Sequence, residues 1–159
     1  MDDFILARVL HVLGVVLWIG GVAMVTLILL PALKRMSSPN EAMTFFTGFR
    51  RRFAAQARYT TLLVGLSGLY MSHVLDAWHR FTQWQYWWMH TMVFIWLLFS
   101  YMLFIGEPKA RKQAQSIPPQ GITAQTFDTI QRRHMILLIL SLVTIAGAVA
   151  GSHGWLLSG

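Results

Sequence analysis

Four runs of apolar residues constrain this chain more than any other feature. Each is close to the roughly 20 residues that cross about 30 Å of hydrocarbon as a helix. The first is Phe4 to Leu33, interrupted near its start by Arg8 and His11, with Pro31 marking its end. The second runs from about Tyr59 to Leu75, between Arg58 and Asp76. The third runs from Trp84 to Ile105 and stops at Gly106-Glu107-Pro108; the fourth runs from His134 to Leu157. Backbone polar groups in lipid must pair within their own segment, so each run is expected to be helical. Only 12% of the residues are charged, about half the share of a soluble domain. A length of 159 residues leaves no room for an ordinary soluble domain beside four helices. The expected fold is all-α, an integral membrane four-helix bundle over residues 1–159, with helices at about 4–33, 57–76, 84–106 and 133–157.

Orientation follows from the placement of lysine and arginine. Lys34, Arg35, Arg50, Arg51, Arg52 and Arg58 lie between the first two runs, and Lys109, Arg111, Lys112, Arg132 and Arg133 between the last two. Arg8 and Arg80 are on the other side, with Asp2, Asp3 and Asp76. The positive-inside rule puts the basic loops in the cytoplasm and both termini on the non-cytoplasmic side, as in a multi-pass protein of a bacterial inner membrane. The net charge of +7 is thus a matter of orientation and anionic lipid, and no nucleic-acid partner is expected. Met1-Asp2-Asp3 has no positive n-region, and the first run is too long for a signal peptide, so it is expected to remain as a helix. With no cysteine, disulfides and thiol chemistry are excluded.

Two loops carry further signals. Asn40-Glu41 resembles a helix start, and Phe45, Phe46, Phe49 and Phe53 recur at helical spacing beside Arg50 to Arg52, as in an interfacial amphipathic segment. Trp78, Phe81, Trp84, Tyr86, Trp87 and Trp88 form an aromatic belt for the headgroup level.

Ionisable residues inside apolar runs are functional candidates. Helix direction alternates, so His11, His73, His90 and His153, one from each run, are expected in one leaflet. The first three lie roughly 9 Å outward of their helix midpoints at 1.5 Å per residue. His134 is alone at the cytoplasmic end. Imidazole suits iron, copper and zinc, and bundles build such sites from facing helices. A haem b needs one or two axial ligands and small residues where the porphyrin meets a helix. On the first helix His11, Gly14, Trp18 and Gly21 share a face, and Arg8 is placed to meet a propionate. Gly147-x-x-x-Gly151 reads as ordinary close packing. Met71, Met89 and Met92 near His73 and His90 give the copper alternative, because thioether with imidazole favours Cu(I).

The segment His11-Val12-Leu13-Gly14-Val15-Val16-Leu17-Trp18-Ile19-Gly20-Gly21 resembles the first helix of bacterial copper-resistance D (CopD)-like membrane proteins. More loosely, the chain is similar to four-helix haem-binding proteins related to the HemJ-type protoporphyrinogen oxidase. The resemblance implies a cofactor or copper site centred on His11. HemJ-type proteins are expected to carry a lysine in a later helix, and no apolar run here holds one. The expected function is that of a membrane b-type cytochrome, with one haem b and histidines enough for two. It would exchange electrons between quinol and a periplasmic or complex-bound redox partner, as a homo-oligomer or a subunit of a larger complex. Copper binding or import, and protoporphyrinogen oxidation, are the alternatives.

Overall fold

The structure, a computed structural model, describes residues 2–114 and 124–155. Helix α1 (Asp2–Met24) passes through a π-helical segment (Val25–Leu29) into α2 (Leu30–Lys34). Helix α3 (Pro39–Val74) has 36 residues, about 54 Å at 1.5 Å per residue. Two 3₁₀ turns, Ala77–Thr82 and Trp84–Tyr86, lead into α4 (Trp87–Tyr101), a second π segment (Met102–Gly106) and α5 (Glu107–Ala114). Helix α6 covers Ala124–Ser152. No strand occurs among the described residues. Three continuous helical stretches, Asp2–Lys34, Trp84–Lys109 and Gln125–Ser152, are long and apolar enough to cross a membrane. By length and composition this is a multi-pass membrane protein. Its outward surface agrees: Val16, Ile28, Leu66, Phe94 and Leu142 are each more than half exposed, a surface that would drive association in water.

Helix boundaries depart from the apolar runs for identifiable reasons. The Ser38 hydroxyl accepts from the Glu41 N–H at 3.3 Å, and Pro39 stands at the first helical position, so α3 begins there rather than near residue 57. The phenylalanine and arginine segment is therefore the first part of one long helix. Likewise α6 begins at Ala124 rather than near residue 133. It is followed by Gly154 at φ +85°, a conformation that suits glycine. Leu156 and Leu157, where the fourth apolar run ends, lie outside the described residues.

Neither proline ends its helix. In an α-helix a proline ring strikes the carbonyl four residues earlier, Leu27 for Pro31 and Phe104 for Pro108. Both of those residues lie in the π segments, whose wider turn accommodates the ring. In this register the Leu30 N–H donates to the Val25 carbonyl and the Glu107 N–H to the Met102 carbonyl, each five residues back. The next donors would be residues 31 and 108, which as prolines have no N–H. The Thr26 and Leu103 carbonyls lose their backbone partners. Side chains from distant helices replace them: Gln131 Nε2 of α6 donates to Thr26 O at 3.3 Å, and Arg58 Nε of α3 donates to Leu103 O at 3.1 Å. Ion pairs reinforce both junctions, Lys34 with Asp128 and Arg58 with Glu107. Each half of the chain thus supplies the cap for the proline of the other.

Glycines set the packing. In lipid, helices associate through van der Waals fit rather than a hydrophobic force, so small residues mark the contacts. Helix α3 lies antiparallel along α1, with Phe53 over Gly21, Val64 over Gly14 and His11 against Gly68. Trp96 of α4 fills the space over Gly65 of α3, and its Nε1 donates to Thr61 O at 2.8 Å. Trp87 and Trp88 lie over Gly147 and Gly151 of α6. Trp18, Ile19, Val22, Val64, Ile95, Phe99 and Leu138 form the central core, in which Trp18 meets Phe99 edge-on at 5.0 Å between ring centroids. A second cluster, including Phe46, Phe127 and Leu30, lies toward the arginine-rich end.

Candidate functional site

The alternation of helix direction places the start of α1, the end of α3, the start of α4 and the end of α6 at one end of the bundle. This aromatic-rich end carries Trp78, Trp84, Tyr86, Trp87 and Trp88. Trp78 stacks with Phe81 at 6.3 Å, Tyr86 meets Trp88 at 5.4 Å, and the Arg80 guanidinium sits over the Tyr86 ring at 5.3 Å. At position 76 an aspartate at φ 46° turns the chain out of α3, a left-handed conformation that Asp tolerates better than most residues.

His11, His73, His90 and His153 lie along this end, as the order of the runs requires. Their surroundings differ. The His11 ring is part-buried against α3, sharing the inner face of α1 with Ala7, Gly14 and Trp18. His73, in the last turn of α3, is exposed. His90 is exposed; its Nε2–H donates to Phe81 O at 2.9 Å and its ring meets the Phe81 edge at 5.6 Å. His153 folds back onto its own helix, Nδ1–H donating to Val149 O at 2.8 Å. Among the described residues no three His, Asp or Glu side chains come together as a metal ion would require. The four histidines lie at one end of the bundle in different settings, His11 part-buried and the other three exposed.

Hydrogen bonds to α3 hold the His11 ring. Its Nδ1 lies 3.0 Å from Val64 O and 3.1 Å from Ser67 Oγ. A carbonyl only accepts, so Nδ1 carries the proton. Ser67 sends its own hydroxyl hydrogen to Leu63 O at 2.6 Å, leaving its oxygen to accept from His11. Nε2 therefore keeps its lone pair. Gly68 allows the ring to lie this close, since a Cβ there would stand 3.2 Å from His11 Cε1. Ser67, Val64 and Gly68 did not stand out in the sequence; the small pair Ser67-Gly68 inside an apolar run is a signal that could have found them.

The remaining candidates separate from this site. Gly14 receives Val64, so it serves the α1–α3 contact. Arg8 is exposed on the outer face of α1, in a shallow groove of about 370 Å³ with Phe4, Ile5, Val9, Val12 and Leu13. His134 is at the opposite end, its Nδ1–H donating to Ile130 O at 2.9 Å. Comparison with protein-family models, curated proteins and solved structures found no match to this chain.

Proposed function

We propose that this chain is a four-span inner-membrane protein of the b-cytochrome type, with both termini outside the cytoplasm. On this reading His11 would hold a haem b, which would supply single-electron exchange between quinol and a partner outside the cytoplasm. Support for the fourth span comes from packing: α3 runs beside α1 from Phe53 to Gly68 and so shares its depth. By composition α3 is less apolar than the other three, because Thr60, Thr61, Ser67, Ser72 and His73 lie among its apolar residues.

The observation that carries the haem reading is the pinned His11 imidazole. A ligating histidine commonly donates its other ring N–H to a carbonyl, which fixes the tautomer and raises the basicity of the free nitrogen. His11 does so toward Val64 O. A haem held by two histidines has no open position, so it carries single electrons rather than activating oxygen. His73, His90 and His153, on the same end, are the candidates for the second ligand. The residues of this chain would orient the ligand through Val64 and Ser67.

Absorption spectra of the detergent-purified protein, oxidised and dithionite-reduced, with haem and copper measured per chain, test this reading. The expected result is a sharp reduced α band with one haem per chain, lost in His11→Ala. Copper without haem would move the function to copper handling, and neither cofactor would leave His11 as a packing residue. Topology has its own test, because the chain contains no cysteine. Single cysteines at Asp3 and at Gly154 should both react with an impermeant maleimide from the outer side. Labelling from opposite sides would mean that only three helices cross.

A further inference from the structure

Arg8 is the one charged residue inside the first apolar run, and it lies on a face that otherwise meets lipid. Ile5, Leu6, Val9, Val12 and Leu13 around it are exposed apolar residues. Residues four apart form ridges on a helix, and two such ridges run side by side here, Phe4-Arg8-Val12 and Ile5-Val9-Leu13. Together they line the shallow groove of about 370 Å³. From Phe4 to Leu13 the groove runs about 14 Å at 1.5 Å per residue, close to half of a hydrocarbon core about 30 Å thick. It is therefore as deep as one leaflet, the reach of a lipid chain and not of a second spanning helix.

Among the described residues Arg8 makes neither an ion pair nor a hydrogen bond; the ion pairs are Lys34 with Asp128 and Arg58 with Glu107. The nearest carboxylates in sequence, Asp3 and Asp2, precede it by five and six residues. That spacing turns them about 140° and 120° around the helix from Arg8, off the three- and four-residue steps at which side chains meet. Cα–Cβ bonds tilt toward the start of a helix, and the start of α1 is its surface end. The tilt aims Arg8 toward Phe4 and the headgroup layer, the direction in which a long cationic side chain extends out of lipid. A guanidinium offers a planar fork that suits phosphate oxygens, and the apolar ridges beneath it suit an acyl chain. Charge above and groove below match an anionic phospholipid. A second copy of the chain matches less well, because a twofold axis along the membrane normal would bring Arg8 toward Arg8 with no carboxylate between them.

We propose that Arg8 and the groove below it bind an anionic phospholipid of the leaflet in which α1 begins, with the phosphate on the guanidinium and one acyl chain along Val9, Val12 and Leu13. The site stands whether or not His11 holds a haem, because His11 does not line the groove. Full-length protein in nanodiscs of equal phosphatidylglycerol and phosphatidylcholine tests it, with photoreactive benzoylphenylalanine in place of Val12 and the adducts identified by mass spectrometry. Phosphatidylglycerol adducts should exceed phosphatidylcholine adducts about fivefold, the preference that one basic residue gives near a membrane surface. Arg8→Gln should bring the two to parity. Arg8→Lys keeps the charge and loses the fork, so its ratio should fall between, and it serves if Arg8→Gln does not fold. Arg51→Gln, in the arginine cluster of α3, should leave the ratio unchanged. The same photoreactive residue in place of Phe94, exposed on α4, should capture the two lipids equally. Equal capture at Val12 in the otherwise unaltered chain, or a ratio unmoved by Arg8→Gln, would overturn the proposal. So would a crosslink to a second copy, which would make this face an interface between chains.

Discussion

Arg58→Met is expected to destabilise the bundle by about 2 kcal/mol, between the range for an exposed ion pair and that for breaking one side of a buried one. Two interactions disappear together: the pair with Glu107 at 3.0 Å and the bond from Nε to Leu103 O at 3.1 Å. The Glu107 side chain is 13% exposed and would be left without its partner. The Leu103 carbonyl would be left with no donor at all, because residue 108 is proline. Methionine keeps much of the arginine's apolar stem, so the loss reads polar contacts rather than volume. The double variant Arg58→Met/Glu107→Gln should recover part of the loss by removing the stranded charge, with the remainder belonging to the carbonyl. Unfolding in mixed detergent and SDS, followed by helicity, measures all three. If Arg58→Met alone cost under about 0.5 kcal/mol, the pair would be acting as an ordinary surface contact.

Gly65→Val should cost about 3 kcal/mol for a different reason. A Cβ at this position would stand 2.6 Å from the Trp96 indole, and valine adds two methyl groups beyond it. The indole must move, which breaks its bond to Thr61 O. Overpacking accounts for about 1–3 kcal/mol and the lost hydrogen bond for about 1 kcal/mol. Gly20 is the matched control, since nothing stands within 4 Å of a Cβ there. Gly20→Ala should be neutral or slightly stabilising in the same titration. An equal loss at both positions would mean that backbone freedom, and not the tryptophan, makes glycine necessary.

The helical class and three of the apolar spans were legible because lipid leaves the backbone a single way to pair its polar groups. The second run illustrates the limit. Thr60, Thr61, Ser67, Ser72 and His73, with Arg58, leave it less apolar than the other three, while the contacts of Phe53, Val64 and Gly68 carry that same helix along α1. The prolines misled in the opposite direction. Pro31 and Pro108 read as stops because local sequence contains no sign of the widened turn, which depends on a glutamine or an arginine far along the chain. The histidines were legible in depth, since depth is counted in residues. Their burial was not, because it depends on how the helices pack against one another. His11 was found from the sequence; the pair that orients it, Val64 and Ser67, became visible only when α3 was laid beside α1.

The exchanged proline caps impose an order on biosynthesis. A ribosome delivers α1 and its π segment to the membrane long before α6 exists. Until Gln131 arrives, more than a hundred residues later, the Thr26 carbonyl sits in the nascent hairpin with no partner from the chain. The second hairpin emerges under the opposite condition, with Arg58 already made and waiting for Leu103. The contact that completes the first hairpin therefore forms only once α6 has been made. A chain truncated before α6 would keep an exposed polar defect at Pro31, a feature by which membrane quality control could tell an unfinished copy from a complete one.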